Sequence, residues 1–257
     1  MSDTGSKSKG LAWVAAAIAV AAGAALALPY AAKHVPWRVE QWMAGLLGGG
    51  PPAHVCTGRT EPRARELLRG LVTRLYPLLD GDAELPITID VIAGKTVNAY
   101  ATLGGHIYVF DGLLQQAQSP AELAGVLAHE IEHVRNRHII QGVAVNLLTL
   151  GALKIVLPGN REAEAQIAYM LLTLKFSRQE ENEADTRGLA RLQAARVDTA
   201  GFRDFFARLA KKSSPPEIVS NHPASESRAE LAARYSGHRV EPLLDDAGWA
   251  ALKAICA

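Results

Sequence analysis

Ser119-Pro120-Ala121-Glu122 opens the segment that most restricts how this chain can fold. Serine at an N-cap accepts from an otherwise unpaired backbone N–H, proline suits the first helical position, and Glu122 falls where a capping box needs it. From Ala121 to about Leu148 there is no proline, and the only glycines are Gly125 and Gly142, so one long helix is predicted. Inside it the sequence reads Ala128-His129-Glu130-Ile131-Glu132-His133. Two histidines four apart project from one helical face about a turn apart, so both imidazoles can reach one cation. Val126, Leu127 and Ile131 surround them with apolar groups, as a buried helix requires. A second element must therefore pack on this helix and bring a further ligand.

The spacing is that of the zinc-peptidase helix motif. Zinc bound by three protein groups keeps a fourth position for water and lowers the pKa of that water to roughly 7. Glu130 lies one step round the helix, placed to take the proton of that water as general base. The third ligand should be a His, Asp or Glu. The run Ser177-Arg178-Gln179-Glu180-Glu181-Asn182-Glu183-Ala184-Asp185 offers several acids on a second helix, predicted over Glu162 to Ala195. Glu181 and Asp185 share a face, which suits one carboxylate on the metal and another orienting a ligating histidine. Spacing alone does not choose Glu181 over Glu180 or Glu183, which also suit a solvated face. His106 and His138 read as structural or exposed. His138 falls one residue past the next turn from His133, so a continuous helix points it away from the metal.

Elsewhere the chain gives a few strands and then mostly helices. Ile87 to Ile92 alternates and is β-branched, and Val97 to Thr102 and His106 to Phe110 read as two more strands. Gly104-Gly105 can supply the positive φ of the turn between them. Helices are predicted over Glu61 to Leu79, near Gly201 to Lys211 and near Ala224 to Tyr235. Ile139 to Leu157 reads as a core helix or a membrane-dipping surface, since Asn146 and Lys154 are costly in lipid. The fold class is α+β: a mostly helical domain with one small sheet, preceded by an N-terminal transmembrane helix.

That helix is Leu11 to Ala32, which carries no charge, shows no polar face and is long enough to cross a bilayer. The alternative is a cleaved signal segment, with Ala25-Leu26-Ala27 as a small-residue processing site. Residues 1–10 form a polar, cytoplasmic start carrying Lys7 and Lys9. Residues 33–55 form a linker that includes Gly48-Gly49-Gly50-Pro51-Pro52, and residues 56–257 form the catalytic domain. Trp37 and Trp42 suit the far membrane interface. Cys56 and Cys256, the only cysteines, bracket this domain, so the expectation is a disulfide in an oxidising compartment, against two unrelated thiols. With 27 basic and 26 acidic residues the chain has no electrostatic footprint for nucleic acid.

From Thr96 to Tyr235 the chain resembles the membrane-associated zinc peptidases of the HtpX, CaaX prenyl protease and BepA type. The matching residues are Asn98-Ala99, Gly104-Gly105, His129-Glu130-x-x-His133, Ser177-Arg178-x-x-Glu181-x-x-Ala184-Asp185, and His222-Pro223 followed by Arg228. Leu103 stands where many members have proline. The resemblance implies one zinc ion per chain, with Glu181 as third ligand and Asp185 as its supporting partner. Arg228 belongs to the same site, and the strand through Asn98, Ala99 and Tyr100 is an edge that holds extended substrate by backbone pairing. His222 is implied to lie near the metal. It either stabilises the oxyanion, ligates zinc in place of water, or only caps the helix near Ala224.

Two functions remain open at this stage. One is a single-pass inner-membrane metalloendopeptidase with its catalytic domain in the periplasm, acting on unfolded or misassembled envelope proteins; signal cleavage would make it secreted or periplasmic. The other is a zinc-bound chaperone or adaptor that holds extended chains without cutting them. Glu130 speaks for the first, because binding alone does not need it.

Overall fold

The computed structural model describes residues 13, 16, 19, 20, 23, 27–46, 53–57, 61–76, 87–149, 169–223 and 227–257. Helix α1 spans Trp37–Leu46 and α2 spans Glu61–Leu75. Strands β1 (Thr88–Ile92), β2 (Ala99–Ala101) and β3 (His106–Phe110) form one sheet in the order β1-β3-β2. Helices follow: α3 (Asp111–Gln116), α4 (Pro120–Arg135), α5 (His138–Thr149), α6 (Arg178–Ala194) and α7 (Ala200–Ala210). The last are α8 (Glu217–Asn221), α9 (Arg228–Arg234) and α10 (Asp246–Lys253).

The sheet is small because its strands are short. β1 pairs with β3 in parallel, Thr88 opposite His106 through Ile92 opposite Phe110, while β2 pairs with β3 antiparallel. β2 is therefore an edge. Leu103–Gly105 form a 3-10 turn into β3 in which Gly104 and Gly105 take φ of 82° and 83°, a region open to glycine without strain. On β3, Ile107 and Val109 alternate with Tyr108 and Phe110, so one face joins the main core and the other an aromatic cluster with Tyr100.

Helix α4 runs through the centre of the domain. Every residue from Glu122 to Val134 is buried, against α6, α7 and β2. Its start follows the sequence: Ser119 Oγ accepts from the Glu122 N–H at 3.3 Å. Its end departs from the sequence. The single helix expected over 121–148 divides into α4 and α5, because the chain turns at Asn136 and Arg137, the latter with φ of 64°. The helix expected over 162–195 likewise does not run through. Residues 169–172 are helical, a non-helical stretch follows, and α6 starts afresh at Arg178. The reason is a capping box at Ser177: its side chain accepts from the Glu180 N–H, and the Glu180 side chain accepts from the Ser177 N–H.

Part of the stretch read as a linker is also ordered. α1 packs on the 3-10 turn: Glu40, buried, accepts from the Gly104 N–H at 3.1 Å and pairs with Arg137 at 2.8 Å. Arg137 also donates to the Val35 carbonyl and lies over the Trp37 ring. Gly48–Pro52 fall outside the described residues. So do residues 1–10 and most of Leu11–Ala32, and among the described residues no helix is long and apolar enough to cross a membrane. Of Ile139–Leu157, residues up to 149 are described; Ile139, Ile140 and Val143 are buried in the core. Cys56 and Cys256 are joined in a disulfide 200 residues apart in sequence, as their placement predicted.

Candidate metal centre

Three elements converge on one buried point. α4 supplies His129 and His133, α6 supplies Glu181, and the residue that ends α8 is His222. His129 Nε2 lies 3.0 Å from His133 Nε2, 3.1 Å from His222 Nδ1 and 3.5 Å from Glu181 Oε2. Glu181 Oε1 lies 3.0 Å from His222 Nδ1 and 3.5 Å from His133 Nε2. Donors arranged tetrahedrally about a zinc ion at about 2.0–2.1 Å must sit about 3.3 Å from one another. The observed separations bracket that value, so the donor set fits zinc. All four donor atoms lie within 4.8 Å of one another, and among the described residues no other such cluster occurs.

Two of the donors, His129 and Glu181, are held from behind. Asp185 Oδ1 lies 2.8 Å from His129 Nδ1, and its other oxygen accepts from Arg228 Nε at 2.7 Å. Arg228 Nη2 lies 3.5 Å from Glu181 Oε2 and its guanidinium stacks 3.9 Å from the Phe206 ring. The crossing of α4 and α6 is close because Gly188 faces the backbone of His129.

Glu130 sits beside the cluster and outside it. Its Oε2 accepts from the Ala101 N–H of the edge strand at 3.0 Å, and its Oε1, buried, lies 3.7 Å from His222 Nε2. Asn98, Ala99 and Tyr100 line the adjoining cleft with Leu172 and Phe176; its cavity volume is about 10 Å³.

A family model for peptidase family M48 matches residues 64–235. The chain belongs to peptidase family M48. Among the relatives it resembles are a beta-barrel assembly-enhancing protease of Escherichia coli (strain K12), 30% identical over 201 residues, covering 72% of this chain and 41% of the relative. Metalloprotease LoiP of the same organism is 29% identical over 178 residues, covering 66% of this chain and 70% of LoiP. A mitochondrial metalloendopeptidase OMA1 of Arabidopsis thaliana is 33% identical over 150 residues, covering 56% of this chain and 30% of the relative. The chain thus spans about two fifths of the assembly-enhancing protease.

Zinc is the metal of this M48 site, and the electrostatics suit a divalent cation. Burial pushes His133 well below the usual histidine range, so its imidazole is neutral with a lone pair to offer. Burial acts upward on Glu181, but the His222 charge and hydrogen bonds from His133 and His222 outweigh it and hold the carboxyl far below its usual range. Burial also raises Glu130, against the opposing pull of His222 and His129. For His222 burial acts downward, yet the charges of Glu130 and Glu181 prevail and raise it.

Two residues escaped the sequence. His138 does not point away: it is buried, with its Nδ1 3.1 Å from His133 Nδ1. The expectation failed because it assumed a straight helix through Arg137. Phe176 stacks on the His133 ring with centroids 3.9 Å apart. Nor does His222 cap α9. Ser227 does that, accepting from the Glu230 N–H.

Proposed function

We propose that this chain is a zinc metalloendopeptidase that hydrolyses peptide bonds of unfolded or misassembled envelope proteins. His129, His133 and Glu181 hold the zinc, and Glu130 is the general base. The observation that carries the reading is the position of Glu130 beside the three donors, one oxygen tied to an edge-strand amide and the other without a hydrogen bond, 3.7 Å from His222 Nε2. When bound, zinc supplies a Lewis acid for the scissile carbonyl and acidifies water. Glu130 Oε1 takes the proton of the attacking water and returns it to the leaving amine, while the Ala101 N–H keeps the carboxylate aimed. Burial, by raising Glu130, improves its match to that exchange. Asp185 and Arg228 fix His129 and Glu181 in the ligating pose. Asn98 to Tyr100 receive the substrate as an added strand.

His222, whose Nδ1 lies among these donors, would serve as a fourth ligand to a bound zinc and would have to yield for water and carbonyl to share the site. A cleft of about 10 Å³ holds no peptide, so substrate also has to part β2 from the Leu171–Phe176 segment. Leu11–Ala32 is the membrane anchor in this proposal, placing the domain on the periplasmic side. The exposed Trp13, Val20, Tyr30 and Trp42 and the disulfide support that placement.

The experiment incubates the full chain with an unfolded polypeptide, with and without chelator. Hydrolysis should stop on chelation and fall by about 10²–10⁴-fold in Glu130→Gln at unchanged zinc content. Binding that survives in Glu130→Gln, with no products from either protein, would establish the adaptor instead.

A further inference from the structure

We infer that His138 is a positioning residue that fixes the metal ligand His133 through its remote ring nitrogen. The inference rests on the reading that His133 binds zinc through Nε2. A histidine that does so as a neutral imidazole carries its proton on Nδ1, and that N–H needs an acceptor. The atom facing it is His138 Nδ1 at 3.1 Å, with the two ring planes at 69°. His138 can accept only if its own proton is on Nε2. That nitrogen faces Glu183 Oε2 at 3.7 Å, and Glu183 is in turn held by Arg187 at 3.3 Å. The order His133, His138, Glu183 thus assigns one tautomer to each ring.

The backbone is shaped to deliver this contact. A straight continuation of α4 would carry residue 138 away from the face of His133. The turn at Arg137, whose φ of 64° is unfavourable for a residue with a Cβ, brings it back. Such a conformation persists where its surroundings over-determine it. Here Glu40, the Val35 carbonyl and the Trp37 ring all grip the Arg137 side chain. Helix α1 therefore supports a zinc ligand that it does not touch. His129 has a carboxylate behind it, whereas His133 has a second imidazole, a weaker acceptor.

The test measures zinc release from the full chain into excess chelator, with the visible spectrum of the cobalt-substituted protein as a second readout. His138→Leu keeps much of the packing and removes the acceptor; His138→Gln restores an acceptor oxygen. The expected result is zinc release about 10–100-fold faster in His138→Leu, with an altered cobalt spectrum and unchanged melting of the metal-free protein, and substantial recovery in His138→Gln. Release at the wild-type rate from His138→Leu overturns the inference, and so does equal loss in the leucine and glutamine variants. If His138→Leu does not fold, His138→Gln decides by itself, because wild-type zinc retention is then required of it. A wild-type chain that takes up no zinc would instead refute the metal-site reading, a separate outcome.

Discussion

Gly188 sets the distance between the two helices that carry the ligands, and enlarging it should uncouple folding from metal binding. A Cβ at this position would lie 3.3 Å from the His129 nitrogen and 3.4 Å from its Cα and from the Ala128 carbonyl carbon. All three are backbone atoms of the most buried helix, so no side chain can rotate aside. Ordinary contact needs α6 to retreat by about 0.3 Å in Gly188→Ala, and by about 1 Å or more in Gly188→Val. In stability, alanine gains roughly 0.8–1 kcal/mol of helix propensity, which offsets much of the crowding. The metal is less tolerant, since ligand distances hold within about 0.2 Å. A misplacement of about 1 Å near chemistry costs on the order of 10²-fold in rate. Gly188→Ala should therefore fold normally and lose several-fold in peptide hydrolysis, with weakened zinc binding, while Gly188→Val should lose about 100-fold. Thermal melts of the metal-free chains, zinc titration and a cleavage assay separate the effects. Wild-type zinc affinity and activity in Gly188→Val would refute the coupling.

The buried pair of Glu132 and Arg191 joins the same helices about one turn from the His129–Gly188 contact, with Arg191 also donating to the Leu75 carbonyl at 2.9 Å. Glu132→Ala leaves that guanidinium without its carboxylate and should cost about 3–5 kcal/mol, read by denaturant unfolding. A loss below about 1 kcal/mol would mean that water has reached the pair. Reducing the disulfide, or replacing both cysteines by serine, frees a 200-residue loop and should lower stability by up to about 5 kcal/mol, or roughly 10–20 °C in melting temperature. An unchanged melt would show that the unfolded chain gains little freedom. Removing the fourth donor in His222→Ala should raise hydrolysis several-fold at unchanged zinc content. A fall instead would favour a role for His222 in the reaction itself.

Much of the site could be read in the sequence because its logic is local. Four-residue spacing puts His129 and His133 on one face, and Ser119 and Glu122 announce the helix that carries them. Spacing nominated Glu181 and Asp185, the resemblance chose Glu181 over its acidic neighbours and brought in Arg228 and His222, and the structure gathers all four around the imidazole pair. What stayed hidden depends on backbone turns with weak signatures. Helices that end in a left-handed residue usually advertise it with glycine or asparagine. Here the left-handed residue is Arg137, stabilised by Glu40 from nearly a hundred positions upstream, so neither the end of α4 nor the return of His138 could be seen. The break before α6 could have been found, because Ser177-x-x-Glu180 is a capping box in plain view. Helix α1 escaped for the opposite reason. Its ten residues are too few to hold a helix on their own, and it is fixed by tertiary contacts to the 3-10 turn.

The bond between Cys56 and Cys256 turns residues 56–256 into a covalent ring. A single cut anywhere inside that ring, by another protease or by a second copy of this one, opens the circle without releasing a fragment. Such a nicked molecule migrates as intact on a non-reducing gel and falls into two pieces only when thiol is added.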